Sequence, residues 1–442
     1  MRKISMIAPG VIAAMLSLTA QGDELRQLRT ELEQLKQTYE TRIQVLERRL
    51  QEMQSAEPSG AAHAHANAGN APAAPSPQRG VRRGNAFNPN ASVILNATFG
   101  EFSRDPAMYA LPGFALGEDS GPGEEGFALG EAELIFDANI DDRFYGSLTL
   151  ALATEDGETK TELEEAYIQT LGLPAGFTAK AGRFYSRIGY LNEFHPHVDD
   201  FVDRPLAYRA LLAGQYGDDG VQLRWVAPTD LFLEIGGEVL RGANFPAGGA
   251  AHDGKGAASL FAHLGGDVGV SHSWRAGLSH LHAQARERKS DDGDNSFSGD
   301  SDVTIADFIW KWAPQGNPSR TNFKFQTEYL HRAEDGLFND LDYSGEQNGA
   351  YAQGVYQFMP KWRAGVRYDW LEADNRGAAV ADSVLDTLGH DPWRASALLE
   401  YDPSEFSRLR LQYNRDASQP DVDHQLFLNF VMSLGAHGAH AF

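Results

Sequence analysis

The sequence predicts an all-β fold, a transmembrane antiparallel β-barrel of about sixteen strands with an N-terminal α-helical coiled coil. Three observations predict it. Between Ala91 and Leu434 the chain repeats alternating apolar and polar runs of about ten residues, the length that crosses a bilayer as a tilted strand. The connections are short and long in turn, as periplasmic turns and outer loops are. No stretch after the N-terminus approaches the ~18 consecutive apolar residues of a membrane helix.

The elements follow in order. Arg2 and Lys3, then the apolar run Ile4 to Leu18 and small residues near Thr19 and Ala20, read as a signal peptide over 1–20. Over 23–54 the apolar positions Leu25, Leu28, Leu32, Leu35, Tyr39, Ile43, Leu46, Leu50 and Met53 step by three and four, a heptad seam with one stutter. That seam predicts a self-associating periplasmic helix, and by analogy with trimeric porins a homotrimer. The Ala-, Pro- and Gly-rich segment 55–86 is a disordered linker, and His63-Ala64-His65 within it reads as incidental. The barrel occupies 87–434 and a periplasmic tail 435–442.

The clearest strands lie near the C-terminus. Leu426, Leu428, Phe430, Met432 and Leu434 share one face, with Gln425, Asn429 and Ser433 on the other. Trp362, Ala364, Val366, Tyr368 and Trp370 oppose Arg363, Arg367 and Asp369. The apolar face is predicted to meet lipid and the polar face a watery lumen, with Trp274, Trp312, Trp362, Trp370, Trp393 and Tyr401 supplying interfacial girdles. Long loops are expected near 100–126, 155–160, 185–217, 242–256, 286–301, 334–346, 372–391 and 417–422. An even strand number places both ends of the barrel in the periplasm of a bacterial cell whose outer membrane holds the chain.

Composition narrows the function. The chain carries 61 acidic against 38 basic residues, a net charge of −23, which argues against a nucleic-acid partner. An acidic rim suits divalent cations and lipopolysaccharide, and solvated loops account for it equally well. Without cysteine there is no disulfide framework or thiolate metal site. No GxSxG, Walker or HExxH pattern marks an enzyme.

The longest loop, 185–217, is expected to fold inward and form a polar constriction. Arg183 at the strand end and Arg187, Glu193, Asp199, Asp200, Asp203, Arg204 and Arg209 would set selectivity there, with both signs present. Packing on the rim is the alternative. On the strands, Arg224, Lys324, Glu328, Arg363, Arg367, Arg394, Arg408 and Arg410 are expected to line the lumen. His195 and His197, with acids beside them, offer the imidazole and carboxylate donors of a Zn²⁺ or other divalent-cation site, and ordinary hydrogen-bonding loop residues give the same pattern. His437 and His440 in the tail are a second candidate pair. His280 and His282 share a parity with Trp274, Ala276 and Leu278, which points them toward lipid; His263 lies on the preceding strand. No cofactor is required by any of these features.

At Gly182-Arg183-Phe184, a strand end before the long loop, the chain resembles the phosphate- and polyphosphate-selective porins. That resemblance implies a sixteen-stranded trimeric barrel with an inward third loop and basic residues in the lumen, here Arg183, Arg224, Arg275, Arg363, Arg367, Arg394, Arg408 and Arg410. The chain also resembles proteobacterial proteins labelled zinc-regulated TonB-dependent outer membrane receptors, though without a plug domain. The matching segments are Pro112-Gly113-Phe114-Ala115-Leu116, Tyr190-Leu191-Asn192-Glu193 with His195-Pro196-His197, Asp218-Asp219-Gly220-Val221-Gln222-Leu223-Arg224-Trp225, and Gly435-Ala436-His437-Gly438-Ala439-His440. That label implies metal uptake through about 22 strands. The sequence therefore points to passive diffusion of small polar or ionic solutes, with a link to zinc. A closed structural or adhesive barrel and a receptor-type metal transporter are the alternatives.

Overall fold

The structure, a computed structural model, describes residues 89–435 apart from 119, 131, 156–157 and 250–253. The chain divides into two units, Met1–Gly69 and Asn70–Phe442. The signal peptide, coiled coil, linker and tail lie outside the described residues.

Alternation builds the wall. Its sixteen strands are β1 (Asn90–Phe102), β2 (Ala132–Asn139), β3 (Phe144–Glu155), β4 (Glu158–Thr170), β5 (Phe177–Tyr185), β6 (Gly217–Val226), β7 (Phe232–Leu240) and β8 (Ala257–Val268). There follow β9 (His272–Ser290), β10 (Asn295–Trp312), β11 (Asn322–Phe338), β12 (Leu341–Met359), β13 (Trp362–Arg376), β14 (Trp393–Ser404), β15 (Ser407–Ala417) and β16 (Asp423–Gly435). Two short pieces, Gly126–Leu129 and Gly248–Gly249, join the same sheet. Successive strands pair antiparallel, and β1 pairs with β16 from Ser92↔Gly435 to Phe102↔Gln425, which closes the barrel. Closure removes the sheet edges that lipid could not hydrogen-bond.

The barrel is inverted relative to a water-soluble protein. Its outward face exposes Leu260 (70%), Val366 (64%), Leu278 (59%) and Val221 (55%), whereas Arg394, Arg408, Asp369 and Glu400 inside are fully buried. Apolar surface on that scale needs lipid as its solvent. On β13 the outward residues run from Trp362 through Val366 to Trp370, with an aromatic near each end of the apolar span. Trp362 stacks beside Tyr401, with ring centroids 4.8 Å apart, and Tyr368 beside Trp393 at 6.0 Å. These pairs are the girdle the sequence predicts.

Three expected loops are strand instead, the first being 155–160, where Glu155 pairs with Glu158 and the ladder of β3 and β4 runs on from there. Residues 286–301 and 334–346 continue the ladders of β9 to β12, whose lengths of 19, 18, 17 and 19 residues leave turns of only 291–294 and 339–340. Asp300, Asp302, Glu334 and Asp335 made these stretches look like acidic loops, but beyond the lipid an antiparallel hairpin tolerates charge on both faces and keeps pairing.

Candidate site: the lumen and its folded-in loop

The segment 186–216 leaves β5, crosses the inside of the barrel and returns to β6. Asn192 pins its two ends together: its Nδ2 donates to the carbonyls of Ser186 and Tyr216, both at 2.8 Å, and its Oδ1 accepts from the Tyr216 amide at 2.8 Å. Gly189 takes φ 68°, and a Cβ there would lie 2.6 Å from Glu328 Oε2 and 2.8 Å from the Tyr208 hydroxyl, so only glycine fits. After Pro205 the loop forms a short helix, α1 (Leu206–Leu212), whose residues are all buried. Its Leu206, Leu211 and Leu212 belong to one apolar cluster with lumenal Leu281, Val303, Ile305, Leu330 and Leu371 and with Leu111, Phe114 and Leu116 of the first loop. The first loop therefore also enters the barrel.

Charge holds the loop to the far wall. Asp200 accepts from Lys324 Nζ at 2.6 Å, Arg363 at 2.8 Å and Gln353 at 2.9 Å. Asp203 accepts from Arg367 at 2.6 Å, Arg394 and Gln412 at 2.8 Å and Asn414 at 2.9 Å, with Arg209 3.6 Å away. Arg410 donates to the carbonyls of Asp199 (2.8 Å) and Phe201 (3.1 Å), and Arg408 to that of His197 (3.2 Å). Glu328 accepts the amides of Tyr190 and Leu191 and the hydroxyls of Tyr208 and Tyr351. Within the loop, Arg204 binds Asp199 at 2.8 Å and donates to the carbonyls of Leu191 and Phe194.

Burial pushes the Asp200 and Asp203 carboxyls up, but the surrounding cations outweigh it. Lys324 and Arg363 hold Asp200, and Arg394 and Arg367 hold Asp203, well below the usual carboxylate range. Asp199 goes the other way: burial dominates and lifts it to about 6 despite Arg204.

A second polar set lies nearer β5 and keeps some exposure. Arg187 binds Glu193 and reaches Glu234 at 2.6 Å; Arg275 reaches Glu193 at 3.1 Å, and Arg224 reaches Glu234 at 3.1 Å. The Arg187, Glu193, Arg275 and Arg224 side chains are 14–20% exposed, unlike the sealed latch on the far wall. Lys180 sits over the Tyr167 ring at 4.4 Å.

Beside them His195 and His197 enter a carboxylate pocket. His197 Nδ1 lies 2.5 Å from Glu133 Oε1. His195 Nε2 lies 3.1 Å from Glu165 Oε2, and its Nδ1 lies 3.3 Å from Glu133 Oε2 and 3.4 Å from Glu164 Oε2. Adjacent Glu164 and Glu165 both point inward because β4 bulges there: Thr149 pairs with Glu165 and Leu150 with Leu163. Burial would lower the His195 imidazole, but Glu133, Glu164 and Glu165 overcome it and leave it well above its ordinary value. Among the described residues, Glu133, His195 and His197 form a group whose ligand atoms lie within 4.8 Å of one another.

No family model matches the chain. An uncharacterized protein of Aquifex aeolicus (strain VF5) is 31% identical over 388 residues, covering 81% of this chain and 80% of that protein. The chain belongs to that protein's family. Among solved structures, a loop L8 deletion mutant of OmpT, an outer membrane protein of Vibrio cholerae, is similar with a TM-score of 0.51 at 11% identity, over 79% of this chain and all of that one. An anion-selective porin from Comamonas acidovorans is similar with a TM-score of 0.49 at 9% identity, over 78% of this chain and 99% of that one. The likeness to the Vibrio cholerae protein is one of fold, a closed antiparallel barrel.

All of Arg224, Lys324, Glu328, Arg363, Arg367, Arg394, Arg408 and Arg410 face inward, yet most are engaged by the loop or by wall acids. Arg183 does not belong with the constriction. It shares the outward parity of Ala179 and Ala181 and pairs with Asp219 at 2.7 Å, on the outer side of the wall. The histidines on β8 and β9 part company: His263 is buried inside against Glu234, while His280 and His282 face out beside Asp302. His437 and His440 lie outside the described residues. Sequence reasoning missed Glu133, Glu164, Glu165 and Glu234, acids that complete these networks, while strand parity alone places Asp369 and Glu400 inside. Only the Glu164-Glu165 pair left a signal, as a break in alternation.

Proposed function

We propose that this chain is a porin-like channel of a bacterial outer membrane, passing small polar or ionic solutes by diffusion. One observation carries the reading: a sixteen-stranded barrel, apolar outside and charged inside, is narrowed by a loop bonded across its lumen. The shared rim of Ser92 and Gly435 and the short turns would face the periplasm, and the long loops the outside among lipopolysaccharide. Arg187, Arg224 and Arg275, set against Glu193, would be the charges a solute meets, because they keep exposure while the far-wall arginines do not. The heptad seam of residues 25–53 supports a homotrimer.

A second reading is favoured by the apolar cluster that Leu111, Phe114 and Leu116 form with α1 and the wall: a closed barrel serving as a structural or adhesive scaffold. Planar-bilayer recording of the purified chain separates the two. Steady ohmic openings with a measurable reversal potential in a KCl gradient establish the channel, and silence from correctly folded protein establishes the closed scaffold.

A further inference from the structure

We propose that Glu133, His195 and His197 bind one divalent transition-metal ion that clamps the inward loop to β2, with Glu164 of β4 facing the same imidazole. Glu165 accepts from His195 Nε2, which orients the ring so that Nδ1 faces Glu133 and Glu164. Two carboxylate oxygens facing one imidazole nitrogen make an N,O donor set that a cation can occupy. The separations of 3.3 and 3.4 Å are those of the edges of a tetrahedral zinc shell, about 3.3–3.4 Å for bonds of about 2.0–2.1 Å. Glu164 Oε2 and His195 Nδ1 have no hydrogen-bond partner among the described residues, and the Glu164 side chain is only 5% exposed. His197, whose Nδ1 is hydrogen-bonded to Glu133 Oε1 at 2.5 Å, adds a second imidazole with a ligand atom within 4.8 Å of those of Glu133 and His195.

Imidazole nitrogen with carboxylate oxygen selects Zn²⁺ and its first-row neighbours over Ca²⁺ or Mg²⁺, which take oxygen shells. The carboxylate behind His195 is the outer-shell partner that metal-bound histidines commonly have. Pro196 holds the two histidines apart in a short turn, with ring centroids 5.8 Å from one another, so both reach one point. This inference stands whether or not the lumen conducts.

The experiment titrates Zn²⁺ into the full chain in detergent by calorimetry, and Co²⁺ by visible absorption. The background variant carries His63→Ala, His65→Ala, His437→Ala and His440→Ala, which removes histidine pairs elsewhere. One equivalent of bound metal with a tetrahedral Co²⁺ spectrum is expected in that background and with His280→Ala/His282→Ala added. His195→Ala/His197→Ala should weaken it more than about 100-fold, and the isosteric Glu164→Gln at least about tenfold. Heat-modifiable migration of each variant confirms that the barrel is folded. A background that binds no metal, or metal retained in the double histidine variant, overturns the proposal. Bilayer silence with intact zinc binding would refute only the channel reading.

Discussion

Replacing Asp203 with Asn should release the constriction loop and make the lumen wider and more anion-selective. Asp203 is 5% exposed and accepts from Arg367 and Arg394, whose side chains are 1% and 0% exposed. Both guanidiniums also reach Asp369, at 3.0 and 3.3 Å. In the variant two buried cations would share one carboxylate, leaving one positive charge uncompensated. Breaking a buried pair from one side costs about 3–5 kcal/mol. A barrel interior can admit water, so the lower end, about 3 kcal/mol, is the fitting figure, and it shifts the docked-to-undocked ratio roughly a hundredfold. Single-channel conductance should rise, the reversal potential in a KCl gradient should move toward chloride, and trypsin should cut within 186–216. Asp374→Asn, which breaks an exposed pair with Arg376, is the control and should change none of these. Asp203→Asn with wild-type conductance, selectivity and protease resistance would refute the idea that this carboxylate latches the loop.

Acid should spare the docked loop for longer than ordinary carboxylates allow: Asp200 and Asp203 sit below the usual range, so their contribution is complete above about pH 4 and fades only as pH falls further. Protease protection of 186–216 that is half lost near pH 5 would contradict this. Gly189→Ala should destabilise docking by about 1–3 kcal/mol, since the new Cβ meets Glu328 and Tyr208 at a positive φ, and faster trypsin cleavage of the loop is the readout. Val366→Arg, midway between Trp362 and Trp370 on the lipid face, should cost about 2–4 kcal/mol in urea refolding into bilayers. An unchanged refolding midpoint there would mean that this face does not meet lipid.

The wall was legible because a period of two leaves little choice. Once Leu426, Leu428 and Leu434 are placed outward, Gln425, Asn429 and Ser433 must point in, and the structure shows both sets there. The rim loops were not legible in the same way. Asp300 and Glu334 carry the charge of a loop but the backbone pairing of a strand, and composition cannot separate the two outside the bilayer. Arg183 failed for the opposite reason. It was assigned by its nearness to the loop, when the parity of Lys180, Gly182 and Phe184 already placed it outside. The inward course of 186–216 was an expectation from length and charge. Its partners were invisible, because Asp203 meets Arg394 and Gln412 across 191 and 209 residues of sequence.

Those long-range partners change what the lumenal charges mean. A count of inward arginines suggests an anion channel, and a net charge of −23 suggests the reverse. Neither count decides selectivity, because most of the inward cations are already ion-paired and buried. Lys324 and Arg363 are absorbed by Asp200, Arg367 and Arg394 by Asp203 and Asp369, and Arg408 by Glu400. The group that keeps some exposure lies on the β5 side, where Arg187 and Arg275 share Glu193 and Arg224 leans on Glu234. Three cations there meet three carboxylates, Glu193, Glu234 and, 4.0 Å from Arg275, Asp307, and of these acids only the Glu193 side chain keeps more than 1% exposure. The acid-rich loop thus neutralises much of the wall it touches, and removing its acids should move the reversal potential in a KCl gradient toward chloride.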